Sequence, residues 1–286
     1  MIGFREILRG LQALEIGEHP VIVHASLSAF GPVRGGAETV VGALLATFPG
    51  VMAPTHTYKT MLIPEDGPTN NGITYGSGKA QNAMAEFFTL DMPADPLMGV
   101  IPETLRRHPQ AKRSGHPILS FAGVGVESAI NAQTLEEPLA PIRVLMEQGG
   151  WVLLLGVNHT VNTSLHLAER MAGRRQFLRW ALTPQGVVAC PGFPGCSLGF
   201  EQAEPLLRPI TREVKIGEAT IRALPLSAMV ERVAVHLRQN PLDLLCDLPD
   251  CERCEAVRVE LATTRGLGLV LNPATGIQKQ NPFFGI

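Results

Sequence analysis

A histidine at the end of a predicted strand is the residue best placed for chemistry. His166 lies in the first turns of a helix that is predicted to begin at about Thr163, with Asn162 as its N-cap, after an apolar run at 151–155. Open α/β folds bind ligands at the carboxyl ends of their strands. A neutral imidazole at such a place can accept a proton. The pattern predicts a general base, and a histidine packed under the sheet edge is the alternative.

A catalytic histidine also needs a partner that fixes its tautomer. Glu169 follows His166 by three residues and therefore shares its helix face. Glu201, in a later loop, is a rival carboxylate. Spacing does not decide between the two carboxylates, so both stay candidates.

The elements that must position these residues begin with a strand–loop–helix–strand unit. Residues 21–24 are typical of a buried strand that ends at His24, 37–48 of a helix and 51–54 of a second strand. Such a unit predicts a right-handed parallel crossover. The loop at 25–36 is rich in Ser and Gly and leads into a helix N-terminus, which suits a phosphate. A plain connecting loop is the alternative, because no dinucleotide fingerprint is matched.

An irregular stretch follows at residues 55–92, interrupted by Pro, Gly and Asn. A loop of this length inside a compact domain is usually functional or mobile. We expect it to form a wall or lid over a pocket. His56, at the end of the second strand, would face that pocket, and a hydrogen-bonded loop histidine is the alternative.

The remaining pattern predicts an α/β protein. Further helices are expected at 3–15, 98–108, 124–132, 141–148 and 226–237, strands at 118–122 and 186–190, and a hairpin at 212–214 and 219–224. We expect a three-layer α/β/α fold with a central, mostly parallel sheet and a small C-terminal hairpin and helix region. Residues 1–286 are interpreted as one domain, with 260–286 as an extended or partly disordered tail.

Charge and composition argue against several classes of protein. A net charge of −2 gives no reason to expect nucleic acid or an anionic membrane as partner. No apolar run approaches the roughly 20 residues of a membrane-spanning helix. The pattern at 1–17 indicates an amphipathic helix, not a signal peptide. Five cysteines in a chain without a secretion signal favour reduced thiols in a cytoplasm.

Three of the cysteines form a compact motif. Cys246, Cys251 and Cys254 have the spacing C-x4-C-x2-C. A structural zinc ion takes four ligands, and the fourth would have to be Cys190, Cys196 or His236. We expect free thiols here, assign no metal ligand, and keep a structural zinc as the less favoured alternative.

Four sequence blocks resemble one known family. They are HASLSAFGPVRGGAETVVGALL at 24–45, MAPTHTY at 52–58, KRSGHPILSFAGVG at 112–125, and VLLLGV with NTSLHLAE at 152–169. In this order they resemble the aminoglycoside 3-N-acetyltransferases of the antibiotic N-acetyltransferase superfamily. The resemblance covers roughly residues 20–205. It does not extend to the other, more widespread acetyltransferase fold class.

The resemblance implies an α/β/α fold, acetyl-CoA as donor and a primary amine as acceptor. The first candidate is the 3-amino group of an aminoglycoside, which would confer antibiotic resistance. An amine is mostly protonated at neutral pH, so direct transfer in a ternary complex needs a base and a stabiliser of the oxyanion. The resemblance implies that His166 is the base. His24 matches a family histidine near the thioester, where a positioning role and a core histidine are both open.

The resemblance also implies which residues bind the coenzyme. Its pantetheine and pyrophosphate would lie against Ser26, Leu27, Ser28, Ala29, Phe30 and Gly31, with Ser120 and Phe121 beside the pantetheine arm. Candidate phosphate partners are Arg34, Lys112 and Arg113, although surface cations are usually only solvated. Candidate contacts to the acceptor or the oxyanion are His56, Tyr58, Thr163 and Ser164, and the last two could instead only cap a helix.

Other functions stay open at this point. Acidic residues between 55 and 105 are few and Lys59 lies among them, so a less cationic biosynthetic amine is a serious variant. A hydrolase using Ser or Cys with His166 is disfavoured, because no G-x-S-x-G elbow precedes a helix. A non-catalytic binding module with a zinc-stiffened C-terminal segment is the third hypothesis. The partners expected are a small amine and coenzyme A, and a second copy of the chain is a further candidate.

Overall fold

The fold contains two β-sheets. The structure is a computed structural model, and it describes residues 1–264. The strands are β1 Val21–Ala25, β2 Val51–Pro54, β3 Met61–Leu62, β4 Lys112–Arg113, β5 Phe121–Val124, β6 Trp151–Leu155, β7 Phe177–Thr183, β8 Gly186–Phe193, β9 Arg212–Ile216 and β10 Ala219–Pro225. The larger sheet has seven strands in the order β4-β5-β2-β1-β6-β10-β9. The smaller sheet has the order β3-β7-β8.

The central strands are buried on both faces. On β6, Val152 and Leu154 belong to one apolar core, whereas Leu153 and Leu155 belong to the other, and all four are at most 1% exposed. Successive side chains of a strand point to opposite faces, so a strand covered on both sides is a continuous apolar run. That is why the run at 151–155 could be identified as a buried strand from the sequence.

Helices cover both faces of the larger sheet. The helices of the described residues are α1 Phe4–Gln12, α2 Gly36–Thr47, α3 Lys79–Ala83, α4 Val100–Arg106, α5 Glu127–Asn131, α6 Ala140–Glu147, α7 Leu165–Met171, α8 Glu204–Leu207, α9 Leu226–Gln239 and α10 Glu252–Thr264. Apolar residues of α1, α2 and α4 pack on one face, and those of α5 to α9 on the other. The predicted three-layer α/β/α fold is confirmed.

Among the strands of residues 1–264, the parallel pairs of the larger sheet are those of the three strands at its centre. β1 pairs in parallel with β2 and with β6, whereas β5 and β10 pair antiparallel with their neighbours. The predicted C-terminal hairpin is present as β9 and β10, with Gly217 at φ +60° in its turn. It is not a separate unit, because β10 hydrogen-bonds to β6 and so extends the central sheet.

Two elements begin later in the chain than the sequence predicts. The strand expected at 118–122 begins at Phe121, because the amides of Ile118 and Leu119 donate to His116 Nδ1 at 3.1 and 3.0 Å and form a turn. The helix expected from Thr163 is regular only from Leu165.

The start of the predicted C-terminal tail is helical. Residues 260–264, which were assigned to the tail, continue helix α10, and the rest of that tail lies outside the described residues. Within residues 1–264 no helix combines the length and the apolar character needed to cross a membrane.

Three histidines are buried in the neutral form. Burial lowers the pKa of His24 and of His56 to about 3, with nearby histidines adding to the effect. Burial also lowers the pKa of His116 to about 4. The ring of His116 accepts two backbone N–H groups at Nδ1, so a proton there would break both hydrogen bonds.

The low pKa values of these three histidines predict that the protein is less stable in mild acid. Below the ordinary pKa of 6.5 and above the folded-state values, the unfolded chain binds protons that the folded chain does not. The free energy of unfolding should therefore fall as the pH falls from 6.5 to 4, by up to about 1.4 kcal/mol per pH unit for each histidine. Urea denaturation at stepped pH measures this slope. His116→Asn keeps the acceptor and should give a shallower slope; an equal slope would contradict the assignment.

Candidate active site

A cavity of about 960 Å³ opens at the carboxyl ends of β1, β2 and β6. Its lining combines residues from the three strand ends and from the loops and helices around them: His24, Ala25, Ser26, Leu27, Ser28, Gly31, Pro54, His56, Tyr58, Val157, Thr163 and His166. The carboxyl ends of parallel strands meet at one edge of a sheet, which is where ligands bind in such folds. The structure thus brings together most of the residues singled out in the sequence.

His166 is held by a buried carboxylate. Its Nδ1 lies 2.6 Å from Oε2 of Glu169, and Glu169 is 1% exposed. The other carboxylate oxygen, Oε1, accepts a hydrogen bond of 2.7 Å from Nη1 of Arg174. With the Nδ1–H donated to Glu169, the Nε2 atom of His166 keeps its lone pair for the cavity. The imidazole of His166 is therefore held in one orientation at the cavity.

The end of helix α7 places Arg174 under Glu169. Gly173, at φ +83°, donates its N–H to the carbonyl of Arg170, and Arg174 donates its N–H to the carbonyl of Glu169. This pair of bonds is a Schellman motif, in which the left-handed residue is usually glycine. The guanidinium of Arg174 is fixed further by the carbonyls of Pro241 and Asp243, at 2.8 and 2.7 Å. The backbone turn thus supplies the cation that the buried carboxylate needs.

Asn162 sets the approach to the same helix. The residues before it, His159–Val161, form a 3₁₀ turn, and Oδ1 of Asn162 accepts the N–H of Ser164 at 3.2 Å. The predicted N-cap, Asn162, thus lies two residues before the observed N-cap of α7, which is Ser164. Thr163 lines the cavity. Ser164 is completely buried and does not line it, which corrects the prediction that its hydroxyl contacts substrate.

The aromatic side chains of His56 and Tyr58 form part of the cavity wall. Nδ1 of His56 lies 3.1 Å from the hydroxyl of Tyr58, and the His56 ring meets Phe121 edge-on at 5.6 Å. Burial raises the pKa of Tyr58 to about 12. With the low pKa values of His24 and His56, all three groups are uncharged at neutral pH. The cavity can thus accept or donate hydrogen bonds there without holding a charge.

Only some residues of the coenzyme segment that the resemblance predicts, residues 26–31, line the cavity. Ser26 and Ser28 line the cavity with their hydroxyl oxygens 3.0 Å apart, and Leu27 and Gly31 also line it. Phe30 instead points into the core and Ala29 lies on the far side, against Gly156. The N-terminal residue of α2, Gly36, lines the cavity too, so the helix N-terminus opens on it.

Five other predicted binding residues do not line the cavity. They are Arg34, Lys112, Arg113, Ser120 and Phe121. Ser120 donates to the carbonyl of Thr55 at 2.7 Å, and Arg113 donates to the same carbonyl at 2.8 Å. The guanidinium of Arg113 therefore donates to backbone oxygens, and Arg113 is not a phosphate partner. Ser120 and Phe121 support the wall from behind, Arg34 is exposed at the surface, and Lys112 is exposed on β4.

Glu201 is not the partner of His166. Its Oε2 accepts the backbone N–H of His159 at 2.8 Å, and its Oε1 lies 3.8 Å from Nη1 of Arg222. Glu201 therefore braces the loop that precedes α7. The helix spacing of three residues was the better indication of the partner, because it fixes the distance between His166 and Glu169, whereas a position in a loop fixes no such distance.

Sequence reasoning missed two arginines and one loop. Arg174 could have been suspected from Gly173 after the helix, which is a helix-end signal. Arg253 lines the cavity and donates to the carbonyl of Gly195 at 2.9 Å. The loop at 193–198 lines the cavity as well. No sequence pattern links these segments, since the contact spans 58 residues.

The comparisons with known proteins agree with this geometry. The sequence model of the aminoglycoside 3-N-acetyltransferase family matches residues 22–238, more than half of the chain. Aminoglycoside N(3)-acetyltransferase VII from Streptomyces paromomycinus is 36% identical over 177 residues, which are 58% of this chain and 59% of that protein. The match thus spans less than two thirds of that relative.

Two solved structures share the fold over most of their length. YokD from Bacillus subtilis is 25% identical with a TM-score of 0.73, over 84% of this chain and 100% of that chain. A mutant of the aminoglycoside acetyltransferase AAC(3)-IVa, in complex with a gentamicin, is 28% identical with a TM-score of 0.71, over 90% and 96%. The chain therefore belongs to the aminoglycoside 3-N-acetyltransferase family.

Proposed function

We propose that the protein transfers an acetyl group from acetyl-CoA to a primary amine, directly and within a ternary complex. The observation that carries the proposal is the chain of contacts from Arg174 through Glu169 to His166, which ends at the cavity. Such a chain orients a base and stabilises the imidazolium that forms when the base takes a proton. Family membership supports acetyl-CoA as the donor.

Once the ammonium group has lost a proton to solvent, the neutral amine needs two proton transfers and one displacement. Nε2 of His166 takes a proton from the acceptor amine as its nitrogen attacks the thioester carbonyl carbon. The carbon–sulfur bond then breaks, and the coenzyme thiolate takes the proton back from the imidazolium. The products are an acetamide and free coenzyme A. Glu169 stays ionised throughout and holds the ring.

Direct transfer fits the surroundings of His166 better than a covalent intermediate. Among residues 1–264, the hydrogen-bond partner of its side chain is Glu169, and no serine or thiol is positioned for activation. No cysteine in the described part of the chain lines the cavity. The hydroxyl of Thr163 lines it and could donate to the oxyanion.

The coenzyme has a natural place beside β1. We assign its pantetheine to the loop at Ser26, Leu27 and Ser28, and its pyrophosphate to the N-terminal end of α2 at Gly36. A side chain built on Gly36 would meet nothing within 4 Å, so there is room above that backbone. Free N–H groups and the helix dipole favour a phosphate at such an end.

An aminoglycoside is the first candidate for the acceptor, because the family and the gentamicin complex of a relative point to it. A second candidate is an amine with few positive charges. No Asp or Glu of the described chain lines the cavity, whereas Arg253 does. A polycation would meet an uncharged wall and one like charge, without a carboxylate to pair with.

Replacing His166 by Ala should lower kcat by at least about 100-fold, because the general base is lost. Glu169→Gln should lower kcat by a similar factor with little change in KM, since the new side chain no longer fixes and stabilises the imidazole ring of His166. The assay follows free thiol after acetyl-CoA and an amine are mixed. His108→Ala, outside the cavity, is the matched control. Near-normal turnover of His166→Ala refutes the base, and thiol release without amine indicates a hydrolase.

The charge of the acceptor can be tested separately. If the cavity prefers amines of low charge, wild-type KM should be lower for glucosamine, which has one amine, than for gentamicin, which has several. Arg253→Gln should then lower KM for gentamicin by roughly 3- to 10-fold, because one repulsive charge is removed. If the KM for gentamicin is the same in the wild type and in Arg253→Gln, and is lower than the KM for glucosamine, the result favours the aminoglycoside.

A further inference from the structure

Four cysteines from two distant segments meet beside the cavity. Cys196 comes from the loop after β8, and Cys246, Cys251 and Cys254 come from the segment that leads into α10. All four Sγ atoms lie within 4.8 Å of one another. The fourth member, Cys196, is the residue that the C-x4-C-x2-C spacing could not identify. Three of the four are buried and Cys251 is half-buried.

The dimensions suit a tetrahedral metal site. A zinc–thiolate bond is about 2.3 Å, which places the four sulfurs of such a site roughly 3.8 Å apart. The cluster needs only small side-chain movements to reach that spacing. The C-x2-C pair at the start of a helix is also a frequent arrangement of zinc ligands.

Backbone groups around the sulfurs match those of thiolate ligands. The N–H of Leu198 donates to Sγ of Cys196 at 3.5 Å, and the N–H of Cys246 donates to Sγ of Cys254 at 3.4 Å. Outer hydrogen bonds of this kind orient metal ligands and reduce their negative charge. Arg253 and Arg258 donate to nearby carbonyls, which adds positive charge around the cluster.

We propose that Cys196, Cys246, Cys251 and Cys254 bind one Zn²⁺ in a closed, structural site. All four positions of the tetrahedron are taken by protein ligands, so no coordination position is left for substrate. The ion would neutralise part of the charge of four thiolates that are packed together.

The site fixes one wall of the cavity. Gly195, Ser197 and Leu198 flank Cys196 and line the cavity, and Arg253 lies between two ligands and lines it as well. The two segments are in close contact, since a side chain built on Gly199 would lie 2.5 Å from the carbonyl oxygen of Leu244. Zinc would therefore hold this wall of the cavity in place through both segments.

The test measures metal in protein that was purified without added zinc and without a metal-affinity tag. Elemental analysis should find about one zinc per chain. Mercurial titration of the thiols, followed with a zinc-sensitive dye, should release that zinc. Less than about 0.1 zinc per chain, iron in place of zinc, or a disulfide seen by non-reducing mass spectrometry would each overturn the proposal.

Single variants locate the ligands. Cys254→Ala and Cys251→Ala should lose zinc and melt at a lower temperature, because metal binding contributes to folding. Cys190→Ala is the control, since Cys190 is also buried, lies outside the cluster and has a pKa that burial raises to about 12. It should retain zinc. If the ligand variants do not fold, the zinc content of the wild type still decides, and retained zinc in folded variants refutes the assignment. None of these measurements depends on acetyl transfer.

Discussion

The carboxylate of Glu169 is buried between a histidine and an arginine, and much of the structure serves that contact. A buried carboxylate without partners would cost several kcal/mol, so its place requires Arg174 on one oxygen and His166 on the other. Arg174 in turn depends on the left-handed turn at Gly173 and on two carbonyls after helix α9. The orientation of one imidazole thus depends on a helix end, a backbone turn and a remote loop.

The sequence was sufficient for those features that local rules determine. The apolar run at 151–155 could only be a strand covered on both faces, and the crossover from β1 to β2 followed from its length and order. The helix spacing of three residues made Glu169 one of two candidate partners of His166, and the structure selects it. The strand pattern placed the loop at 25–36 at the strand edge, and the resemblance singled out Ser26, Ser28 and Gly31, which line the cavity there.

The rest could not be predicted because it depends on contacts between distant segments. Ser120 and Phe121 belong to a matching block, yet they face the carbonyl of Thr55 and the ring of His56 and not the cavity. Arg113 looked like a free cation, but its guanidinium is used by backbone oxygens. Arg253 gave no signal at all, since its role comes from the way α10 returns to the loop at 193–198. Periodicity reports which face is buried, but not what covers it.

The return of α10 to the cavity has a consequence for the limits of the catalytic unit. The family match ends at residue 238, whereas Arg253 and the carbonyls of Pro241 and Asp243 come later in the chain. A polypeptide trimmed to the matched span would keep His166 and the loop at 25–36. It would lose the two carbonyls that hold Arg174 and the part of the cavity wall that Arg253 forms. The boundary drawn from sequence similarity therefore passes through the cavity and not around it.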